Sequence, residues 1–192
     1  MGREFELKYR ATPQAQAAIC EAFPDFRKIA METTYFDTPD GALAARRMTL
    51  RLRKENARTV CTLKTPLPDG SRGEWECSAQ QLEDGLRQLI TMGAPAQVAA
   101  LAEQGLIAVC GARFTRMAAE VTTEDGVAEL AVDSGVLLGG GKSIPLCEVE
   151  VEQKAGSDAA VLAFAAELAA RFDLQPEKNS KFRRALALAR GE

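Results

Sequence analysis

In REFELKYR, residues 3–10, charged and apolar residues alternate strictly from Glu4 onward. Successive side chains of a β-strand point to opposite faces, so Glu4, Glu6 and Lys8 fall on one face and Phe5, Leu7 and Tyr9 on the other. The same period of two predicts strands at 48–56 and 57–70, joined near Asn56, and at 71–79. Residues 33–43 read as a short strand running into a turn at Pro39-Asp40-Gly41. A hairpin over 110–138 turns at Glu124-Asp125-Gly126, and 144–154 is a further strand. Helical spacing takes over at 12–23, where Thr12 is the N-cap, Pro13 opens the first turn and Pro24 ends the helix. Further helices are predicted at 79–92, 96–104, 157–172 behind a Ser157 cap, and 179–190. The sum is an α+β fold of eight hairpin-linked, antiparallel strands with helices at the start, middle and end.

Applied strand by strand, the period of two gives one repeated result. Arg51 shares a face with Arg53, Thr62 with Lys64, and Arg72 with Glu74 and Glu76. Arg116 aligns with Glu120, Glu129 with Asp133, and Glu148 with Glu150 and Glu152. A sheet with one wet face accounts for any single strand of this kind. The set as a whole is different, because these faces carry mainly Glu, Arg and Lys, with the signs grouped by strand. Three aligned glutamates repel one another unless a cation neutralises them. If the sheet closes, with its apolar side under the Ala- and Leu-rich helices, the charges line a polar tunnel.

Composition narrows the chemistry. An apolar share of 46% and a charged share of 27% over 192 residues fit one globular domain spanning 1–192. A net charge of −3 without any lysine-rich run argues against nucleic acid or an anionic membrane as partner. No apolar stretch reaches the roughly 18 residues of a membrane span, and no secretory h-region is present, so a cytoplasmic location is expected. Five cysteines without a CxxC pair read as reduced thiols. The absence of histidine excludes Ser-His-Asp, Cys-His and His-ligated metal chemistry. What is left suits a hard divalent cation, Mg²⁺ or Mn²⁺, on carboxylate oxygens, and a phosphate chain on Arg and Lys. Acid-held metal beside base-held phosphate is the arrangement of phosphoryl transfer. Gly139-Gly140-Gly141-Lys142 lacks the strand-to-helix setting of a phosphate loop and reads as a flexible hairpin.

In this order the residues resemble the CYTH superfamily, the triphosphate tunnel metalloenzymes. Glu4-Phe5-Glu6-Leu7-Lys8 is similar to its ExExK signature, and Tyr35-Phe36-Asp37-Thr38 to its YFDT segment. Leu50-Arg51-Leu52-Arg53, Thr62-Leu63-Lys64, Arg72-Gly73-Glu74-Trp75-Glu76, Thr115-Arg116, Glu129 with Asp133, Glu148-Val149-Glu150 and Asn179-Ser180-Lys181 continue the series. Phe114 departs from it, since some members carry a second basic residue there. The resemblance implies an eight-stranded closed antiparallel tunnel with helices outside, and is nearest to the bacterial inorganic triphosphatases. It implies Glu4, Glu6, Glu148 and Glu150 as metal ligands, and Lys8, Arg51, Arg53, Lys64, Arg116 and Lys181 as phosphate contacts. Lys8, Glu4, Glu6 and Glu76 are the catalytic candidates, and Arg72, Glu74, Glu129, Asp133 and Glu152 have supporting roles. Asp37 caps a turn or meets substrate, while Trp75 and Phe36 belong to the core.

The activity implied is metal-dependent hydrolysis of inorganic triphosphate, with a triphosphate-containing small molecule as partner and a dimer left open. A class IV adenylyl cyclase and a thiamine triphosphatase are alternatives on the same scaffold. A module that binds polyphosphate or nucleotide without turning it over is the alternative outside catalysis.

Overall fold

The computed structural model describes residues 2–68 and 71–192, so the 69–70 end of the strand expected at 57–70 lies outside it. The chain runs β1 (Gly2–Glu4), β2 (Glu6–Arg10), α1 (Pro13–Ala22), β3 (Arg27–Asp37), α2 (Ala42–Ala45), β4 (Thr49–Glu55), β5 (Arg58–Pro66) and β6 (Arg72–Ser78). It continues with α3 (Leu82–Thr91), α4 (Gln97–Ala102), β7 (Ile107–Thr123), β8 (Gly126–Gly139), β9 (Lys142–Gly156), α5 (Asp158–Phe172), β10 (Gln175–Pro176) and α6 (Lys181–Arg190).

Among the described residues, ten strands form one curled antiparallel sheet in the order β1-β6-β5-β4-β3-β7-β8-β9-β2-β10. The count exceeds the expected eight for two reasons. The opening strand divides at Phe5, so that Gly2–Glu4 pairs with β6 while Glu6–Arg10 pairs with β9. The two-residue β10 adds itself to β2. Sheet pairing also moves two predicted boundaries. β3 begins at Arg27 because its first half pairs with β7, from Arg27↔Ala118 onward. Helix α3 starts at Leu82 rather than 79 because the Ala79 N–H donates to the Thr59 carbonyl at 3.1 Å, prolonging the β5–β6 ladder.

Local chemistry sets the helix ends. Thr12, Ser157 and Ser180 accept from the backbone N–H of Ala15, Ala160 and Arg183 at 3.1, 3.3 and 3.2 Å. The short α2, not foreseen from sequence, is held by the buried Asp37 carboxylate, which accepts from the backbone of Thr38, Leu43 and Ala44 at 2.8, 2.8 and 3.0 Å. Asp37 is therefore a structural cap and does not border the cavity described below.

The apolar strand faces are covered in two outer groups. Leu50, Cys61, Leu63 and Trp75 pack with Leu82, Leu86 and Leu89 of α3 and Val98 and Leu101 of α4, and Phe36 joins them. Tyr9, Leu130, Val132, Val149 and Val151 pack with Ile19 of α1 and Val161 and Leu168 of α5. A third group lies on the charged side of the sheet: Met31, Ala112, Phe114, Leu137 and Leu146 meet Ala185 of α6. Those positions share the strand parity of Arg116, Asp133 and Glu148, so α6 enters on the inner face.

Helix α6 approaches the sheet at Gly139. A Cβ there would stand 2.4 Å from the Ala185 carbonyl oxygen and 2.7 Å from the Ala189 nitrogen. Gly140 and Gly141 (φ 59° and 73°) then make the β8–β9 turn, as a tight hairpin requires. Gly139→Ala is expected to push α6 outward and cost about 1–3 kcal/mol. Thermal unfolding should show a melting temperature lower by roughly 3–9 °C, and an unchanged value would mean that α6 is not packed this closely.

Candidate active site

The inner face encloses a cavity of about 570 Å³, within the size range of small-molecule sites. Its wall follows the register of the sheet. Tyr35 stands opposite Arg51, Arg51 opposite Thr62, and Thr62 opposite Glu76. One row away, Thr49, Lys64, Glu74 and Gly2 succeed one another across β4, β5, β6 and β1. Towards the other end of the strand order, Glu6 faces Glu152 and Glu152 faces Glu129, while Lys8 faces Glu150. Glu4, Glu6, Lys8, Arg51, Arg53, Lys64, Arg72, Glu74, Glu76, Arg116, Glu129, Glu150, Glu152 and Lys181 all border the cavity.

At its deep end lies a buried charge cluster. One oxygen each of Asp133, Glu148 and Glu150 lies within 4.8 Å of the others. Lys181 bridges all three, at 2.9 Å from Asp133 and 2.7 Å from Glu150, with an ion pair to Glu148 as well. Arg116 grips Asp133 with two bonds of 2.8 and 2.7 Å and also pairs with Glu150, while Arg184 pairs with Glu148. The Phe114 ring lies beneath both cations, with Lys181 Nζ 5.6 Å and the Arg116 guanidinium 5.9 Å from its centroid. Burial, then the neighbouring Glu150, pushes the Glu148 carboxyl up to about 7. Burial opposes ionisation of Glu150 too, but Lys181 and Arg116 outweigh it and hold that carboxyl well below its usual range. The same carboxylates, Glu150 first, raise Lys181 against the cost of its burial.

Elsewhere on the wall most cations hold one or two carboxylates. Lys8 bonds Glu6 at 2.9 Å, Arg53 bonds Glu55 at 2.8 Å, and Lys154 bonds Glu152 at 2.9 Å. Lys64 pairs with Glu4 and approaches Glu74 at 3.4 Å. Thr62 donates to Glu76 at 3.2 Å, and Arg72 donates to the Thr49 hydroxyl at 3.2 Å. Arg51 differs. Like Arg72 it makes no ion pair with any described residue, but unlike Arg72 it has an Nε that is buried without a hydrogen-bond partner.

Over residues 2–186 the sequence matches the family model for the CYTH domain. The chain belongs to the CYTH family. It is 26% identical to an inorganic triphosphatase of Haemophilus influenzae over 98% of its own length and 55% of that protein's, so it spans about half of the curated relative. Among solved structures, this CYTH chain resembles a Pyrococcus horikoshii protein (TM-score 0.65, 20% identity, covering 96% of this chain and 99% of that one). It also resembles a Hippeastrum adenylyl cyclase candidate with a dominant triphosphatase activity (TM-score 0.61, 22% identity, covering 98% and 95%). These two likenesses concern the fold.

The acids expected to act together are divided by the fold. Glu148 has no solvent exposure and lies behind the cavity wall, enclosed by Lys181 and Arg184. Asp133 joins Glu148 and Glu150 in the cluster of three, whereas Glu4 and Glu6 stand outside that cluster. Glu6 lies beside Glu152, and Glu4 lies across Phe5 next to Lys64. The donor set is oxygen throughout, which suits a hard divalent cation. One member invites it directly: Glu4 is 8% exposed, and its Oε2 is buried with no partner. An acceptor of that kind is costly until a cation or donor reaches it. Tyr35, Glu55, Lys154 and Arg184 also belong to the site and were not anticipated. Glu55 and Lys154 continue the period of two by one step beyond Arg53 and Glu152, so a signal existed. Arg184 had none, because its role depends on how α6 docks. All five thiols are unpaired, and burial pushes Cys61 and Cys110 up to about 12, leaving no thiolate there at neutral pH. No described helix is long and apolar enough to cross a membrane.

The raised Glu148 carboxyl makes stability depend on pH with a definite sign. Between the ordinary 4.5 and about 7, the folded chain keeps a proton that the unfolded chain has released. Stability is therefore lost as pH rises through that window. Glu148→Gln removes this slope. Measured by calorimetry in EDTA, its melting temperature relative to the parent should climb from pH 4.5 to pH 7. A flat difference would mean that Glu148 is ionised throughout.

Proposed function

We propose that this CYTH chain hydrolyses inorganic triphosphate to pyrophosphate and phosphate with Mg²⁺ or Mn²⁺, inside a tunnel closed by eight strands. The observation that carries the reading is Arg51. On a wall where Lys8, Arg53, Lys64, Arg116, Lys154 and Lys181 each hold a carboxylate, the half-buried Arg51 makes no ion pair with a described residue, and its buried Nε has no hydrogen-bond partner. A buried donor without an acceptor is costly until one arrives, and the guanidinium fork matches phosphate oxygens. The Haemophilus influenzae triphosphatase, similar over nearly this whole chain, supports a triphosphate as that anion. Closure is supported by β1 and β2, which are joined through Phe5 and pair with β6 and β9; counted as one strand, with β10 outside, they leave eight.

In this reading Glu4, Glu6 and Glu150 hold the cation, with Glu148 behind them. Bound there, a hard divalent cation supplies neutralisation of phosphoryl charge and a more acidic water. Arg51, Arg53 and Lys64 bind one stretch of the phosphate chain, and Arg116 and Lys181 bind the other. Lys8, beside Glu6 and opposite Glu150, donates to the reacting phosphoryl group. Glu76 and Glu74 orient the basic residues of β4 and β5, Arg72 steadies that end of the wall, and Glu129, Asp133 and Glu152 keep Arg116, Lys181 and Lys154 in place. Water adds to the terminal phosphorus as the bridging P–O bond breaks, with positioning and charge stabilisation providing the rate.

Phosphate release from tripolyphosphate should appear with Mg²⁺ or Mn²⁺ and vanish in EDTA, and ATP and thiamine triphosphate should be poorer substrates. Glu6→Gln and Glu150→Gln should lose most turnover while remaining folded. Arg51→Ala should lower kcat/KM by about 10- to 100-fold, the worth of a charged hydrogen bond or two. Near-full turnover by both glutamine variants would remove the carboxylates from the reaction. Cyclic AMP from ATP would reassign it to cyclisation, and tight tripolyphosphate binding without release would leave a binding module.

A further inference from the structure

Gln16 sits on the buried side of α1, only 6% exposed, in the layer where Ile19, Val149, Leu130 and Val161 pack. A carboxamide in such a layer is costly unless its hydrogen bonds are made. Its Nε2 has two hydrogens, and both are placed: one bond of 2.8 Å to the Asp133 carbonyl and one of 3.3 Å to the Glu148 carbonyl. Asp133 and Glu148 are direct register partners across β8 and β9. Their side chains leave the opposite face of the same strands and enter the cluster with Lys181, Arg116 and Arg184. One amide on the outside thus ties both strands at the residue pair that supplies two of the three clustered carboxylates. The chain leading into α1 is anchored beside it, where the Ala11 N–H donates to the Cys147 carbonyl at 3.1 Å.

We infer that Gln16 is a positioning residue, clamping β8 to β9 so that Asp133 and Glu148 hold Lys181 and Arg116 at the phosphate end of the cavity. The inference rests on the proposed triphosphatase reading for its kinetic consequence, but not for the clamp. A packing role alone would be met equally well by an apolar side chain of the same size. The clamp predicts otherwise, because a site loosened by a fraction of an ångström loses rate, and loss of an outer partner typically costs 10- to 100-fold.

The test compares the whole chain with Gln16→Met, which keeps volume and removes the donor, and with Ile19→Val, which disturbs packing on the same helix face. Gln16→Met should melt within about 3 °C of the parent while its kcat/KM for tripolyphosphate falls about 10- to 100-fold. Ile19→Val should lower the melting temperature and leave kcat/KM unchanged. Hydrogen exchange is read on the same samples, and the amides of 130–135 and 146–150 should exchange faster in Gln16→Met only. Unchanged kcat/KM in Gln16→Met overturns the inference. If the parent does not turn over tripolyphosphate, the functional reading fails by itself, and the exchange rates decide the clamp: equal rates in parent and Gln16→Met overturn it. Should Gln16→Met not fold, the Gln16 side-chain amide signals of the parent, followed by NMR as tripolyphosphate and Mg²⁺ are added, take its place. A shift supports the clamp, and immobile signals overturn it.

Discussion

Lys181 bonds three carboxylates from two strands, and much of the inner architecture depends on that contact. Asp133, Glu148 and Glu150 could not sit within 4.8 Å of one another in a buried place without compensating charge. Lys181, Arg116 and Arg184 provide the compensating cations. Removing one member of such a buried set costs on the order of 3–5 kcal/mol, because the partner left behind is uncompensated. Several local features serve that placement. Ser180 caps the first turn of α6, Phe182 rests on Tyr35 with ring centroids 5.1 Å apart, and Gly139 lets the helix come close.

The rest of the wall follows a related logic with weaker compensation. Glu6, Glu152 and Glu129 stand directly opposite one another on three adjacent strands, an arrangement that is destabilising by itself. Lys8 offsets it at Glu6, and Lys154 offsets it at Glu152, with Glu129 4.0 Å away. The inner face is thus nearly self-neutralising, and its exceptions are informative. Arg51 Nε, Arg184 Nε and Glu4 Oε2 are buried without partners, and of these Arg51 and Glu4 border the cavity. Native structures rarely leave such atoms unsatisfied without a reason.

Much of this was legible in the sequence because alternation is a strong local signal. The faces assigned to Glu4, Glu6, Lys8, Arg51, Arg53, Lys64, Arg116 and Glu150 from the period of two are the faces that border the cavity. Thr12 and Ser157 cap their helices as their side-chain chemistry foretold. The break at Phe5 was not legible, since REFELKYR alternates straight through it, and only the separate pairing of its halves with β6 and β9 divides it. Likewise, the sequence offered Asp37 as a turn cap or a substrate contact without deciding between them, and no local pattern announced α2, from whose N–H groups, up to seven positions away, it accepts.

The sequence alone determined which residues share a strand face, and that the charged faces carry carboxylates, guanidiniums and ammoniums but no histidine. These follow from side-chain type and a period of two, and neither needs distant contacts. Tertiary structure decided which charges touch. It drew Glu148 behind the wall under Lys181 and Arg184, brought Asp133 into the cluster beside it, and left Arg51 without an ion pair. Pairings across 15 to more than 100 positions of chain depend on register and on the docking of α1 and α6, and no local periodicity encodes either.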